Sequence, residues 1–231
     1  MIRKVKIGKL AVGGKSPVRI KGMIKSSLEK RSAVIKEAQQ LASEGAEAVR
    51  IAIRTKQDLK ILPALRKAVT LPWVADIHFD YRLALGAIDA GFDAVRLNPL
   101  NIYKPQEVSE VACAARMAKI SLRVGVNSGG FKQKFASPLA QGKQMVKKVE
   151  DYLKLLEKRR FFDIMVSLKG SDVATTICAN RLFRKKHAYP LHLGVTATGS
   201  FWEGSVKSSV GLGILLSEGI GDVIRVSLTA P

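Results

Sequence analysis

Short apolar runs of strand type alternate with longer segments of helical periodicity along the whole chain, and this alternation constrains the fold more than any other feature. Each apolar run leads into a helical segment, so consecutive strands are expected to lie parallel and to be joined by right-handed crossovers. Eight such strands close a barrel. We therefore predict an α/β fold of the (β/α)8 TIM-barrel type, with residues 1–231 as one domain, in preference to an open doubly wound sheet.

The bounds of the predicted elements follow from this periodicity and from the turn residues between the runs. An alternating segment that turns at Gly13-Gly14 comes first. The strands are predicted at residues 17–23, 48–53, 71–78, 94–98, 121–127, 163–169, 190–196 and 222–228. The helices are predicted at about residues 28–44, 57–69, 80–91, 105–118, 141–158, after a cap at 171–172, and at 205–218. No eighth helix follows residue 228, so we expect exposed apolar surface between the first and seventh helices.

The third strand ends in Asp76-Ile77-His78 and turns into a helix through Asp80, which we predict to be its N-cap. Because side chains alternate along a strand, Asp76 and His78 point in the same direction from its carboxyl end. An Asp-x-His pair on one strand is more often a hydrogen-bonded pair than a catalytic one. Whether this pair is functional depends on which side chains the other strands place at the same end of the barrel.

Five strands carry a cation near the carboxyl half, where a barrel interior normally holds Val, Ile and Leu. Asp76 can balance one of them, and an uncompensated buried charge costs several kcal/mol. The pattern therefore predicts a bound polyanion, such as a molecule with two phosphates. The alternative is that one or two cations face outward or pair with helix carboxylates. The cations are Arg50, Arg96, Arg123, Lys169 and Arg225, and polar residues of the same parity are Asn98, Asn127 and Ser227.

The loops after the seventh and eighth strands are a common phosphate site in such barrels. Gly199, Gly204 and the start of the helix at Ser205 fall there, so we expect them to form a phosphate cradle.

Composition limits the class of protein. The 39 Lys and Arg residues against 19 Asp and Glu give a net charge of +20, which favours polyanionic ligands or partners. The sequence has no membrane span and no secretory leader, and we expect a cytoplasmic protein. The two cysteines, Cys113 and Cys178, have no metal-binding spacing, and we expect both to be buried. With three histidines and two cysteines, this chain offers no ligand set for zinc or an iron–sulfur cluster, so we predict no metal site.

Six segments closely resemble the 4-hydroxy-3-methylbut-2-enyl diphosphate synthases, the GcpE or IspG family, and they follow the family's order over essentially the whole chain. They are VADIHFDYRLA at 74–84, RLNP at 96–99, RVGVNSG at 123–129, SLKGSDV at 167–173, PLHLGVT at 190–196 and GIGDVIRVSL at 219–228.

The resemblance implies an oxidoreductase of the methylerythritol phosphate route to isoprenoids. It implies that the barrel binds 2-C-methyl-D-erythritol 2,4-cyclodiphosphate and that a [4Fe-4S] cluster delivers two electrons to open the ring. The family holds that cluster on a C-terminal domain, so we expect no cofactor on this chain and a cluster-carrying domain or subunit as partner, with a homo-oligomer as one arrangement. Positions that match the family's substrate-binding set are Arg50, Asp76, His78, Arg96, Asn98, Arg123, Asn127, Lys169, Arg225 and Ser227.

Three departures from the family pattern bear on activity. Ala197 stands where the family has an active-site glutamate, so no catalytic residue is intact in this prediction. The family's Gln-Ser-Met-Thr is KGMI at 21–24, and its Asn-Pro-Gly-Asn is NPLN at 98–101. A non-catalytic diphosphate-binding paralogue therefore stays open as an alternative. A nucleic-acid-binding module ranks well below both, because no aromatic residues interleave the basic clusters.

Overall fold

Eight parallel strands form the barrel in the computed structural model, which describes residues 1–228. A bridge between Val166 and Leu191 joins the two end strands of the sheet and closes it. The predicted (β/α)8 architecture is confirmed. The strands are β3 Arg19–Met23, β4 Ala48–Ile53, β5 Trp73–Ile77, β6 Ala94–Leu97, β7 Ser121–Asn127, β8 Ile164–Lys169, β9 His192–Leu193 and β10 Val223–Ile224.

The last two strands are shorter than their apolar runs predicted. Only Val223 with His192 and Ile224 with Leu193 pair between β9 and β10. Beyond Leu193 the chain turns to the neighbouring strand, and the Thr196 amide donates to the Gly170 carbonyl at 2.9 Å. The barrel is therefore closed by short ladders on this side.

Seven α-helices connect the strands, and four begin at a polar side chain that accepts a backbone hydrogen bond. The predicted caps Asp80 and Asp172 accept from the Arg82 and Thr175 amides. Ser137 and Ser200 cap two other helices, which begin about three to four residues earlier than predicted. The helices are α1 Arg31–Ser43, α2 Leu62–Ala68, α3 Tyr81–Asp89, α4 Pro105–Met117, α5 Pro138–Lys158, α6 Val173–Lys186 and α7 Phe201–Ser217.

The hydrophobic core lies between the outer face of the barrel and the helices. Ile51 on β4, Trp73 on β5 and Val124 on β7 are all at most 1% exposed, and they pack in one cluster with helix residues such as Val108 and Met145. Neither cysteine belongs to this cluster: Cys113 is exposed on α4 and Cys178 is partly exposed on α6. The prediction that both are buried is wrong, because neither position falls on the side of its helix that packs on the barrel.

An antiparallel hairpin of β1 Lys4–Ile7 and β2 Leu10–Gly13 closes the amino-terminal end of the barrel. Its inner face carries Val5, Ile7 and Val12, all at most 2% exposed. They pack against the first inward-facing residues of four barrel strands, namely Val74, Ala94, Met165 and Val223. This small cluster, which we call the hydrophobic plug, leaves the opposite, carboxyl end of the barrel as the open mouth.

The outer face of β3 and β10 is exposed, as the sequence predicted. Ile20 and Val226 are 48% and 47% exposed, and they line an open cavity together with Leu41 and Ala46 on the α1 side. Within residues 1–228 no helix follows β10 to cover it. In the same part of the chain, no helix is long and apolar enough to cross a membrane.

Candidate anion-binding site in the barrel lumen

Four of the five predicted cations lie buried inside the barrel. Arg50, Arg96, Arg123 and Lys169 are between 1% and 8% exposed. Each lies at a position of its strand that faces the lumen, as the alternation of side chains along a strand predicted. Arg225 follows β10 and is partly buried. The alternative of outward-facing cations therefore does not hold for the buried four.

Asp76 is the only buried acidic side chain among residues 1–228. Its Oδ2 lies 3.3 Å from Arg50 Nε and 3.4 Å from His78 Nε2, and its Oδ1 lies 3.2 Å from Arg96 Nη1. Burial alone would raise the pKa of this carboxyl. The charge of Arg50, the hydrogen bond from His78 and the charge of Arg96 outweigh burial and hold the pKa well below its usual range. Asp76 is thus ionised and positions two guanidinium groups.

Arg123 lies on the other side of the lumen, between Ser167 and His192. Its Nη1 is 3.3 Å from Ser167 Oγ and 3.3 Å from His192 Nδ1. Burial and then the charge of Arg50 lower its pKa well below the usual value, so the surroundings oppose this charge. Arg123 has no carboxylate partner within the described chain.

Gly125 makes room for this arrangement. A Cβ atom at Gly125 would lie 2.7 Å from Ser167 Oγ and 3.0 Å from Arg96 Nε. The Gly125 carbonyl also accepts a hydrogen bond from Arg96 Nη2 at 2.9 Å. A side chain here would push the Arg96 guanidinium out of its place.

Several buried donor atoms find no hydrogen-bond partner anywhere in residues 1–228. Leaving a buried donor unsatisfied costs about 1–3 kcal/mol, and more for a charged group. Such an excess of donors fits a ligand that only accepts hydrogen bonds, as a phosphate does. Among them are Lys21 Nζ, Arg123 Nη2, Lys169 Nζ and His192 Nε2.

Met23, the last residue of β3, lies between Arg50 on β4 and Arg225 after β10. The guanidinium groups of Arg50 and Arg225 both contact its Sδ, the latter at 3.3 Å. A thioether is a weak acceptor. Two guanidinium groups that converge on so weak an acceptor are placed to bind a stronger one. Beside Met23, a cavity of about 510 Å³ opens between the ends of β3 and β4.

The remaining predicted residues stand at the mouth. The His78 side chain is 43% exposed, whereas Asn98 Oδ1 accepts from the Leu100 amide at 3.2 Å. Asn127 ends β7 and pairs in register with Lys169. Ser227 follows Arg225 on the inward side, and its carbonyl accepts from the Thr198 hydroxyl. The structure thus brings the predicted set to one end of the barrel, in the lumen or on its rim.

The predicted phosphate cradle is arranged differently from the expectation. Gly204 lies inside α7, where a Cβ atom would meet Leu228 and Thr198 at 2.7 Å, so its role is close packing. A Cβ atom at Gly199 would collide with the carboxylate of Glu203. An acid therefore already faces this glycine. Ala197, at the position of the family glutamate, is exposed with φ +52°.

The residues present do not fit a [4Fe-4S] cluster. Across the described chain, no three His, Cys, Asp or Glu residues are close enough together to hold a metal ion. The two cysteines lie on different helices, α4 and α6. The arrival of a cluster from another domain or subunit stays a prediction.

Sequence reasoning missed two lumen residues, Lys21 and His192, for the candidate set. Both are at most 3% exposed. The available signal was parity: Lys21 shares a face with Met23, and His192 with Thr196. Parity alone did not give the depth of either residue in the barrel, because depth depends on the register between strands.

Comparison with solved structures supports the fold alone. A dihydropteroate synthase aligns over 97% of this chain and 93% of its own, with a TM-score of 0.72 and 11% identity. The type I 3-dehydroquinate dehydratase of Clostridium difficile aligns over 100% of this chain and 90% of its own, with a TM-score of 0.70 and 14% identity.

Comparison of sequences is more specific. The curated flavodoxin-type 4-hydroxy-3-methylbut-2-en-1-yl diphosphate synthase of Lawsonia intracellularis is 46% identical over 98% of this chain and 64% of its own length. That of Thermodesulfovibrio yellowstonii is 45% identical over 98% of this chain and 66% of its own length. The chain thus spans slightly less than two thirds of these relatives. A family model described as the GcpE TIM-barrel domain matches residues 2–231. The chain belongs to the GcpE family, whose TIM-barrel domain it forms.

Proposed function

We propose that this chain binds 2-C-methyl-D-erythritol 2,4-cyclodiphosphate in the barrel lumen, as the substrate-binding part of a 4-hydroxy-3-methylbut-2-en-1-yl diphosphate synthase. The observation that carries the proposal is the group of buried cations around a single carboxylate, with donors left unsatisfied. A ligand with two phosphates supplies the missing negative charge and the missing acceptors. The names of relatives that are more than 40% identical give the product, 4-hydroxy-3-methylbut-2-en-1-yl diphosphate, and the family resemblance implies the substrate.

In this proposal different lumen side chains contact different groups of the ligand. Guanidinium groups bind phosphate oxygens in a bidentate manner, and Lys169 adds a point charge. Asp76 keeps Arg50 and Arg96 oriented before the ligand arrives, which lowers the ordering cost of binding. His78, Asn98, Asn127 and Ser227 at the mouth contact the remaining polar groups of the ligand.

Reductive ring opening requires two electrons. A [4Fe-4S] cluster supplies them in the family by the resemblance stated above, and we propose that a cluster-carrying domain or subunit faces the mouth of this barrel. The names of the relatives include flavodoxin, and we propose a flavodoxin as the source of the electrons. A cytoplasmic location, and a homo-oligomer as one way to bring in the cluster, stay predictions. So does the expectation that nucleic acid is not a partner.

A calorimetric titration with the cyclic diphosphate tests the binding step. We expect saturable binding that weakens at least tenfold in Arg225→Ala, because a charge-assisted hydrogen bond contributes about 1.5–3 kcal/mol. Arg181→Ala is the matched control: Arg181 is an exposed α6 residue paired with Glu218, and its loss is expected to leave binding unchanged. No heat from the wild-type chain at millimolar ligand would contradict the proposal.

A second candidate function is diphosphate binding without turnover. Ala197 favours it, because a methyl group neither transfers a proton nor stabilises a cation. Reconstitution with a cluster domain from a relative and a chemical reductant separates the two functions. Turnover by the wild-type chain contradicts the second candidate, whereas turnover only after Ala197→Glu supports it.

A further inference from the structure

Lys21 lies nearer the amino-terminal end of the lumen than Arg50 does. In the ladder of β3 and β4, Lys21 pairs with Ala48 while Met23 pairs with Arg50, so Lys21 is two residues nearer the amino-terminal end. The side chain is 3% exposed, and within residues 1–228 its Nζ makes no hydrogen bond. A fully buried amine without an acceptor is among the costliest groups a fold can hold.

His192 also lies near the amino-terminal end of the lumen, on β9. It pairs with Val223, which belongs to the hydrophobic plug, and is 1% exposed. Its Nδ1 lies 3.3 Å from Arg123 Nη1. A guanidinium only donates, so Nδ1 must accept and the ring proton is assigned to Nε2. That Nε2–H donor has no acceptor in the described part of the chain.

Lys169 lies between His192 and the mouth of the barrel. A Cβ atom at Gly194, two residues after His192, would lie 2.8 Å from Lys169 Nζ. The bare backbone at Gly194 therefore leaves the space that the ammonium group occupies. Lys169 Nζ is likewise without a hydrogen bond in the structure that residues 1–228 form.

We propose that Lys21 and His192 form the floor of the lumen site, that they bind an oxyanion of the ligand directly, and that Lys21 takes up a proton from solvent as that anion enters. The inference rests on the proposed function, because it adds two ligands to the same diphosphate site. The amine gains one proton and becomes an ammonium group, and no other bond is made or broken.

The electrostatics of the ligand-free lumen support proton uptake. Burial, followed by the charges of Arg123 and Arg50, lowers the pKa of Lys21 well below its usual range, and Asp76 opposes the shift too weakly to reverse it. A bound anion acts in the opposite direction and raises the pKa. The charged and titratable groups that the other strands bring to the lumen are Arg50 on β4, Asp76 on β5, Arg96 on β6, Arg123 on β7, Lys169 on β8, His192 on β9 and Arg225 after β10.

His192 is held neutral by the same surroundings. Burial, the charge of Lys169 and the charge of Arg123 lower its pKa well below the usual range. A neutral imidazole still donates from Nε2, so His192 contributes a hydrogen bond to the anion without adding a charge. Lys21 is the floor residue whose charge changes.

The test is calorimetry on the full chain in buffers of different ionisation enthalpy, with the cyclic diphosphate and sulfate as separate probes. Neither probe titrates near neutral pH, so any proton taken up belongs to the protein. The variants are Lys21→Gln, which keeps an amide donor and is the residue expected from the family resemblance, and Lys21→Met, which removes the donor. Lys36→Gln, at an exposed α1 position, is the matched control. Circular dichroism confirms that each variant is folded.

We expect the wild type and Lys36→Gln to take up a fraction of a proton per bound anion, and their affinity to increase as the pH falls. Lys21→Gln loses the uptake, and Lys21→Met also binds about tenfold or more weakly. Wild-type proton uptake and affinity in both Lys21 variants would overturn the inference and leave the proposed function intact. Uptake with sulfate but no binding of the cyclic diphosphate would support the floor site and contradict the proposed substrate. No binding of either probe would contradict both.

Discussion

Replacing Asp76 by Asn removes the only buried negative charge among residues 1–228 without changing the size of the side chain. Asp76 lies 3.2–3.4 Å from nitrogen atoms of Arg96, Arg50 and His78. An amide keeps part of this hydrogen bonding but leaves two buried guanidinium groups without a counter-charge. Breaking a buried pair in this way costs about 3–5 kcal/mol. For a domain of this size the melting temperature shifts by about 2–4 °C per kcal/mol, so we expect a decrease of roughly 6–20 °C.

Urea unfolding at low ionic strength measures this loss, with Asp151→Asn as control. Asp151 is exposed on α5 and its nearest cation, Lys154, is 3.6 Å away, so the control is expected to change stability by less than about 0.5 kcal/mol. Sulfate should restore part of the stability of Asp76→Asn, since a ligand at 100 times its Kd stabilises by about 2.7 kcal/mol.

The pH dependence gives a second check with a definite sign. The pKa of Asp76 in the folded protein is well below its ordinary value of 3.8. The contribution of its charge is therefore fully present above about pH 4 and is lost as the pH falls through the folded-state pKa. The part of the stability difference that comes from the Asp76 charge should therefore still be present at pH 4 and be lost only at lower pH. A destabilisation no larger than that of Asp151→Asn would refute the interpretation of the lumen as a cation cluster held by one carboxylate.

Three further predictions follow from the same structure. Gly125→Ala should weaken binding of the cyclic diphosphate in calorimetry by displacing Arg96, whereas Gly129→Ala, with no atom within 4 Å of the added Cβ, should bind as the wild type does. Ile7→Ala opens the hydrophobic plug and should cost about 2–5 kcal/mol in urea unfolding; a loss below about 1 kcal/mol would contradict the packing. Lys21→Met should stabilise the ligand-free protein, and the gain should grow as the pH falls below the ordinary lysine value of 10.5, because only the unfolded wild type then takes up the proton. A gain independent of pH between about 7 and 10 would refute the depressed pKa.

The sequence by itself determined the order of the elements and the type of closure. Alternation of strands and helices requires parallel pairing, so the sequence predicts it. Caps such as Asp80 and Asp172 act through hydrogen bonds within a few residues, so they can also be predicted from the sequence. Strand parity also predicted that Arg50, Arg96, Arg123 and Lys169 point into the barrel, because a period of two does not depend on the neighbours of a strand.

The depth of each residue in the barrel was decided only by the tertiary structure. Depth depends on the register between strands that are far apart in sequence, and the register is set by packing and by the shear of the closed sheet. The positions of Lys21 and His192 near the amino-terminal end of the lumen therefore became clear only from the pairing of β3, β9 and β10. The hydrophobic plug and the packing of Gly204 inside α7 were also decided only by the tertiary structure, because contacts between distant segments determine them. Local periodicity fixes which way a side chain points, whereas the neighbours it meets are fixed by the closed barrel.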